Sequence, residues 1–219
     1  MIDLFDAARQ LEEFCDLHGW RSCFIGGIAV QRWGEPRVTR DVDLTLLTGF
    51  GREDSFIDTL LAVYPGRLKN AKEFARRYRV LLLSAPGEIG INISLGALAF
   101  EEKVVSRATS FSFGSGAEIR TCSAEDLIIL KLFASRPLDL RDAEGVENRH
   151  RGHLDWSYIE EQLTPLAEVK QDPEILPDPI PLKEWMKTTS TLVSGGKCSR
   201  RPNHFRPLIH SIWHALPHP

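Results

Sequence analysis

Cysteine is scarce in this chain and carries no pattern. Cys15, Cys23, Cys122 and Cys198 are far apart, with no C-x-x-C pair, which excludes a disulfide-stapled scaffold and a thiolate zinc site and suggests free thiols in a reducing compartment. No apolar run approaches the roughly 20 residues needed to cross a bilayer, so no membrane role is expected. The first residues, Met1-Ile2-Asp3-Leu4-Phe5-Asp6, lack the basic region and apolar run of a secretory signal. A cytoplasmic location is the expectation. Internal repeats are missing too. Net charge is small, −3, so bulk electrostatics do not point to nucleic acid.

What charge there is lies unevenly. Lys183, Lys187, Lys197, Arg200, Arg201 and Arg206 face only Glu184 in the last stretch, which leaves the rest of the chain more acidic than the total. Such a tail reads first as a solvated segment and only second as a nucleic-acid contact. Pro173, Pro177, Pro179 and Pro181 precede it, the composition of an extended linker. His204, His210, His214 and His218 show no metal-ligand spacing. Hydrophobic residues at 42% and charged residues at 26% of 219 positions describe an ordinary folded chain. The division expected is therefore a folded domain over residues 1–168 and a linker with a flexible basic tail over 169–219.

Periodicity supplies the elements. Leu4, Ala8, Leu11, Phe14 and Cys15 recur at helical spacing over 3–18. Ser22 to Ile25 is a short apolar strand that runs into Gly26-Gly27, and Ile28 to Trp33 is helical again. Asp41-Val42-Asp43-Leu44-Thr45-Leu46-Leu47 alternates with the strand period, so its two carboxylates share a face. Helices are predicted at 53–63, 72–79 and 100–108, and strands at 80–83 and 89–93. The sequence around Gly114-Ser115-Gly116 reads as a hairpin. Ser123 then opens the clearest helix, with the carboxylate of Asp126 at a capping-box spacing. Further helices are expected at 139–149 and 156–163. The fold class implied is α+β, a small mixed sheet with helices packed on it and a helical C-terminal part.

A Gly-Gly turn alone is common, and an Asp-x-Asp on a strand is usually a solvated face. In the order strand, glycine turn, helix, Asp-x-Asp strand, they offer something more specific. Glycine lets backbone approach phosphate oxygens closely. Two carboxylates on one face suit Mg²⁺, a hard cation that prefers oxygen and bridges protein to phosphate.

Phe24-Ile25-Gly26-Gly27-Ile28-Ala29-Val30, followed by Arg37-Val38-Thr39-Arg40-Asp41-Val42-Asp43-Leu44, resembles the signature of the DNA polymerase β-type nucleotidyltransferase superfamily, and within it the AbiEii-type branch, which includes toxins of toxin–antitoxin systems. The resemblance covers about residues 1–168. It implies transfer of a nucleotide from a nucleoside triphosphate to a hydroxyl on RNA, protein or a small molecule, with Mg²⁺ (or Mn²⁺) as cofactor and an antitoxin as a partner. By resemblance, Gly26, Gly27 and Arg40 contact the donor nucleotide, and Asp41 and Asp43 hold the metal. Lys131 matches a phosphate-facing lysine. Asp139 and Asp142, in Arg136-Pro137-Leu138-Asp139-Leu140-Arg141-Asp142, match the segment after it, Asp139 as a nucleotide contact and Asp142 as a catalytic group.

Two of these assignments have plainer readings. Lys131 lies among Leu127, Ile128, Ile129, Leu130, Leu132 and Phe133, so its ammonium must either snorkel to water or find an anion. Asp139 and Asp142 would also suit the positive end of a helix dipole. One position departs from the superfamily. Where many members place a third carboxylate, the chain has Asn92, whose amide oxygen could ligate a metal but cannot accept the proton of an attacking hydroxyl. The alternative to an enzyme is therefore a nucleotide-binding module or interaction protein that has lost its chemistry at Asn92.

Overall fold

The computed structural model describes residues 3–114 and 118–170. The expected proline-rich linker and basic tail fall almost wholly outside them, as do Cys198 and the C-terminal histidines. Among the described residues the chain separates into two compact units, one within 3–32 and 36–123, the other within 33–35 and 124–170.

The first unit is built on a six-stranded mixed sheet, whose strands lie side by side in the order Val80–Ala85, Ile89–Gly96, Asp41–Leu47, Ser22–Phe24, Glu118–Thr121 and Thr109–Ser112. Helix α1 (Leu4–Leu17) is opened by Asp3, whose carboxylate accepts from the Asp6 amide at 2.8 Å, and it buries the Ala7, Ala8, Leu11 and Cys15 face. Strand β1 (Ser22–Phe24) leads into α2 (Gly26–Trp33), then β2 (Asp41–Leu47), α3 (Glu53–Leu61), α4 (Ala71–Tyr78), β3 (Val80–Ala85), β4 (Ile89–Gly96), α5 (Ala99–Ser106), β5 (Thr109–Ser112) and β6 (Glu118–Thr121).

Strand β2 lies at the centre, antiparallel to β1 and parallel to β4. Central strands in a sheet with helices on it should be apolar on the covered face, and Val42, Leu44 and Leu46 of β2 and Ile91, Ile93 and Leu95 of β4 are buried together. Period two then sends Asp41 and Asp43 to the opposite face, opposite Gly90 and Asn92 of β4. The core around these strands includes Leu11, Phe24, Ile28, Ile57, Leu60, Leu81 and Leu83.

The second unit contains α6 (Ala124–Ala134), α7 (Pro137–Arg149) and α8 (Trp156–Lys170). Pro137 sits in the first turn of α7, where its missing amide costs nothing. Asp126 is fully buried and accepts a hydrogen bond from the Tyr158 hydroxyl at 2.7 Å, which ties α6 to α8. Gly145 lies against Glu35, the Arg149 guanidinium donates to the Gly34 carbonyl, and the His150 ring packs edge-on to Trp33 at 5.4 Å. Helix α8 extends to Lys170 through Pro165, past the end expected at 163. No helix among the described residues is long and apolar enough to cross a membrane.

Candidate active site

In the first unit the sheet ladder brings the glycine turn to the acidic strand. The Ile25 amide donates to the Asp43 carbonyl at 2.9 Å, so Gly26 follows directly beside Asp43. Gly26 has φ of +59°, a conformation glycine adopts without strain, and a Cβ there would overlap the Asp43 carboxylate. Gly90, paired with Asp41 across β4, is similarly placed, because a Cβ on it would overlap Asp41 Oδ1. Each aspartate therefore rests in a space that only a glycine leaves open. Gly27 leaves room for the Thr39 side chain in the same way, and the Thr39 hydroxyl reaches the Asp41 carbonyl at 3.4 Å.

The two carboxylates share a face, as the strand period requires. Their neighbours prove it. Asn92 Nδ2 donates to Asp43 Oδ1 at 2.9 Å, the Arg67 guanidinium donates to Asn92 Oδ1, and Arg67 Nη1 lies 3.9 Å from Asp41 Oδ1. This chain fixes the Asn92 amide. Arginine only donates and so must meet the oxygen; an ionised carboxylate only accepts and so must meet the nitrogen. Asn92 is buried, with its side chain on the face of the aspartates as its position between Ile91 and Ile93 predicts. Its oxygen, however, is turned to Arg67.

Arg67 was not anticipated from the sequence. It lies between α3 and α4, where Gly66 bridges to Leu83 and the Arg67 amide donates to the Leu82 carbonyl at 3.0 Å. Those contacts run the loop along the outer side of β3. From there the arginine side chain reaches over β3 to β4 and β2. Its side chain is 28% exposed and that of Asp41 45%, so the pair faces solvent. Arg40 is exposed and makes no hydrogen bond or ion pair with a described residue.

Two carboxylates and an amide are a hard-oxygen donor set of the kind Mg²⁺ takes. Among the described residues no group of three or more His, Cys, Asp or Glu stands ready to hold a metal.

In the second unit, Lys131, Asp139 and Asp142 come together. Lys131 Nζ lies 2.9 Å from Asp139 Oδ1 and 2.8 Å from Asp142 Oδ2, and all three side chains are at most 8% exposed. The Arg136 guanidinium also donates to Asp139, from Nε to Oδ2 and from Nη2 to Oδ1 at 3.1 Å. Of the two plain readings of a lysine in an apolar run, the anion holds. Its partners come from the first two turns of α7, and the charges of Lys131, Arg136, Asp139 and Asp142 balance.

The protein-family model described as "Nucleotidyl transferase AbiEii toxin, Type IV TA system" matches residues 16–151. No curated protein matches the chain. Among solved structures, the chain is similar to an antigenic nucleotidyltransferase-like protein from Paracoccidioides brasiliensis, at 17% identity over 84% of this chain and 92% of that one, with a TM-score of 0.49. It is also similar to ANT(2'')-Ia in complex with adenylyl-2''-tobramycin, at 14% identity over 76% and 98%, with a TM-score of 0.47. Lincomycin-bound LnuA, a lincosamide antibiotic adenylyltransferase, is a third, at 14% identity over 63% and 92%, with a TM-score of 0.43. The family match takes in the glycine turn, both aspartates, Asn92 and the Lys131 segment, and the chain belongs to the AbiEii nucleotidyltransferase family.

Proposed function

We propose that the chain transfers a nucleotide from a nucleoside triphosphate to a hydroxyl acceptor, and that it does so at the face of β2 that carries Asp41 and Asp43. In that reaction the acceptor oxygen bonds to the α-phosphorus, the bond to the β-phosphate oxygen breaks, and pyrophosphate leaves. The observation that carries the reading is the pairing of each aspartate with a glycine whose Cβ would displace it, in a chain of this family.

Asp41 and Asp43 would hold Mg²⁺, which on binding would offset negative charge on the phosphates. Gly26 and Gly27 admit the donor phosphates to the first turn of α2, where unpaired backbone amides favour anions. Asn92 orients Asp43 through its amide nitrogen rather than accepting a proton, so the proton of the acceptor hydroxyl must pass to another group. Lys131, Asp139 and Asp142 carry over from the family resemblance as nucleotide-handling residues. The ion pairs that bury them give them a second role in holding α6 to α7. The family description supports a toxin role and an antitoxin partner.

The test is incubation of the protein with each labelled nucleoside triphosphate, Mg²⁺ and total cellular RNA or protein. Label should pass to an acceptor, and Asp41→Ala with Asp43→Ala should abolish both labelling and Mg²⁺-dependent triphosphate binding without changing the fold. Retained binding in the double variant would defeat the metal assignment. Triphosphate binding without labelling of any acceptor would identify a binding module instead.

A further inference from the structure

Arg67 brings a cation against the acidic face, and its contacts are those a metal would need. It sits 3.9 Å from Asp41 Oδ1 and holds the Asn92 oxygen, the remaining neutral donor beside Asp43. Asn92 in turn carries that contact to Asp43. The arginine does not belong to the strands that build the site. It is delivered by a loop fixed to the outside of β3 through the Gly66–Leu83 bridge and the bond from the Arg67 amide to Leu82. A guanidinium on a solvent-facing loop side chain can swing away without breaking those backbone bonds.

Resting on the reading of Asp41 and Asp43 as metal ligands, we propose that Arg67 is a positioning residue that stands in for the cation, so that a divalent ion enters by displacing it. Three features lead to this. The ion needs Asp41, which the guanidinium faces. It would draw on the Asn92 oxygen, which the guanidinium occupies. And a single positive charge left beside a dication is repelled, because unit charges a few ångströms apart interact appreciably even at a water-like dielectric. A merely structural arginine would act the other way: by holding the donors in place it would favour the metal, and its loss would weaken binding.

The experiment is titration of the full chain, freed of metal with a chelator, with Mn²⁺ followed by electron paramagnetic resonance. Arg67→Ala should bind free Mn²⁺ roughly tenfold more tightly than the unchanged protein. Arg67→Lys keeps the charge and should stay within about threefold. The gap between Arg67→Ala and the unchanged protein should narrow at ~1 M salt, where screening reaches about 3 Å. Unchanged or weakened Mn²⁺ binding in Arg67→Ala overturns the proposal, as does an equal gain in Arg67→Lys. The double change Asp41→Ala with Asp43→Ala separates the two levels. If it leaves Mn²⁺ binding intact, the metal site itself is misplaced. If it abolishes binding while Arg67→Ala has no effect, only the role of Arg67 fails.

Discussion

Replacing Lys131 by methionine removes one charge and little volume, so it isolates the electrostatics of the second unit. The ammonium is 2.9 Å from Asp139 and 2.8 Å from Asp142, and the two carboxylates have side chains only 2% and 3% exposed. Breaking a buried ion pair by deleting one partner typically costs 3–5 kcal/mol, because the surviving charge has lost its water without gaining a partner. Asp139 keeps Arg136, which argues for the lower half of that range, about 3 kcal/mol. Against a typical stability of about 5–15 kcal/mol that is a large loss. In urea, with a slope of about 1–3 kcal/mol per molar, the midpoint should fall by at least about 1 M. A second arm tests the cause: adding Asp142→Leu to Lys131→Met removes one of the two buried carboxylates that lost the ammonium and should restore part of the loss. A loss under about 1 kcal/mol for Lys131→Met, or no recovery in the double variant, would refute the account of a charge-balanced buried cluster.

Two further outcomes follow from individual side chains. Gly26→Ala places a Cβ in the left-handed region and onto the Asp43 carboxylate; thermal unfolding should show a loss of about 1–2 kcal/mol, with Mn²⁺ binding reduced, and full retention of both would mean that the glycine is not the cradle of the aspartate. Burial pushes the Cys15 thiol up to about 11 from an ordinary value of 9.0, partly offset by a hydrogen bond with Ser22. The folded state therefore keeps a proton that the unfolded chain releases between about pH 9 and 11, and stability falls through that window by about 2–3 kcal/mol; urea titrations should show a shallower decline in Cys15→Ala, and parallel curves would remove the thiol from the explanation.

The reach of the sequence varies with how local each feature is. The face shared by Asp41 and Asp43 follows from period two alone, and their neighbours in the structure agree with it. Asn92 could be placed for the same reason, since the flanking Ile91 and Ile93 can only be core. Arg67 could not. It lies in a segment with no periodicity, and only the pairing of Gly66 with Leu83 brings it to the site. The orientation of the Asn92 amide was equally out of reach, since it depends on Arg67. For Lys131 the sequence posed the right question, snorkel or anion, but the answer needed the first two turns of α7. The end of α8 lies beyond the expected 163, on the far side of Pro165. Pro165 forgoes one backbone bond, and the helix continues past it to Lys170.

The substitution of an amide for a third carboxylate and the presence of Arg67 belong to the same electrostatic problem. Three carboxylates on one face would repel one another more than two do. With Asn92 the face carries two carboxylates, which Arg67 partly offsets. A free dication must compete with that guanidinium, whereas a dication that arrives on a triphosphate brings negative charge of its own to meet it. Such a face should therefore discriminate between free metal and metal–triphosphate, favouring the latter, and the guanidinium released from Asp41 would meet an incoming anion rather than bare solvent. Asn92 makes contacts of its own that a carboxylate would not. Its nitrogen holds Asp43 and its oxygen holds Arg67, two bonds of opposite polarity that an aspartate at this position could not make together.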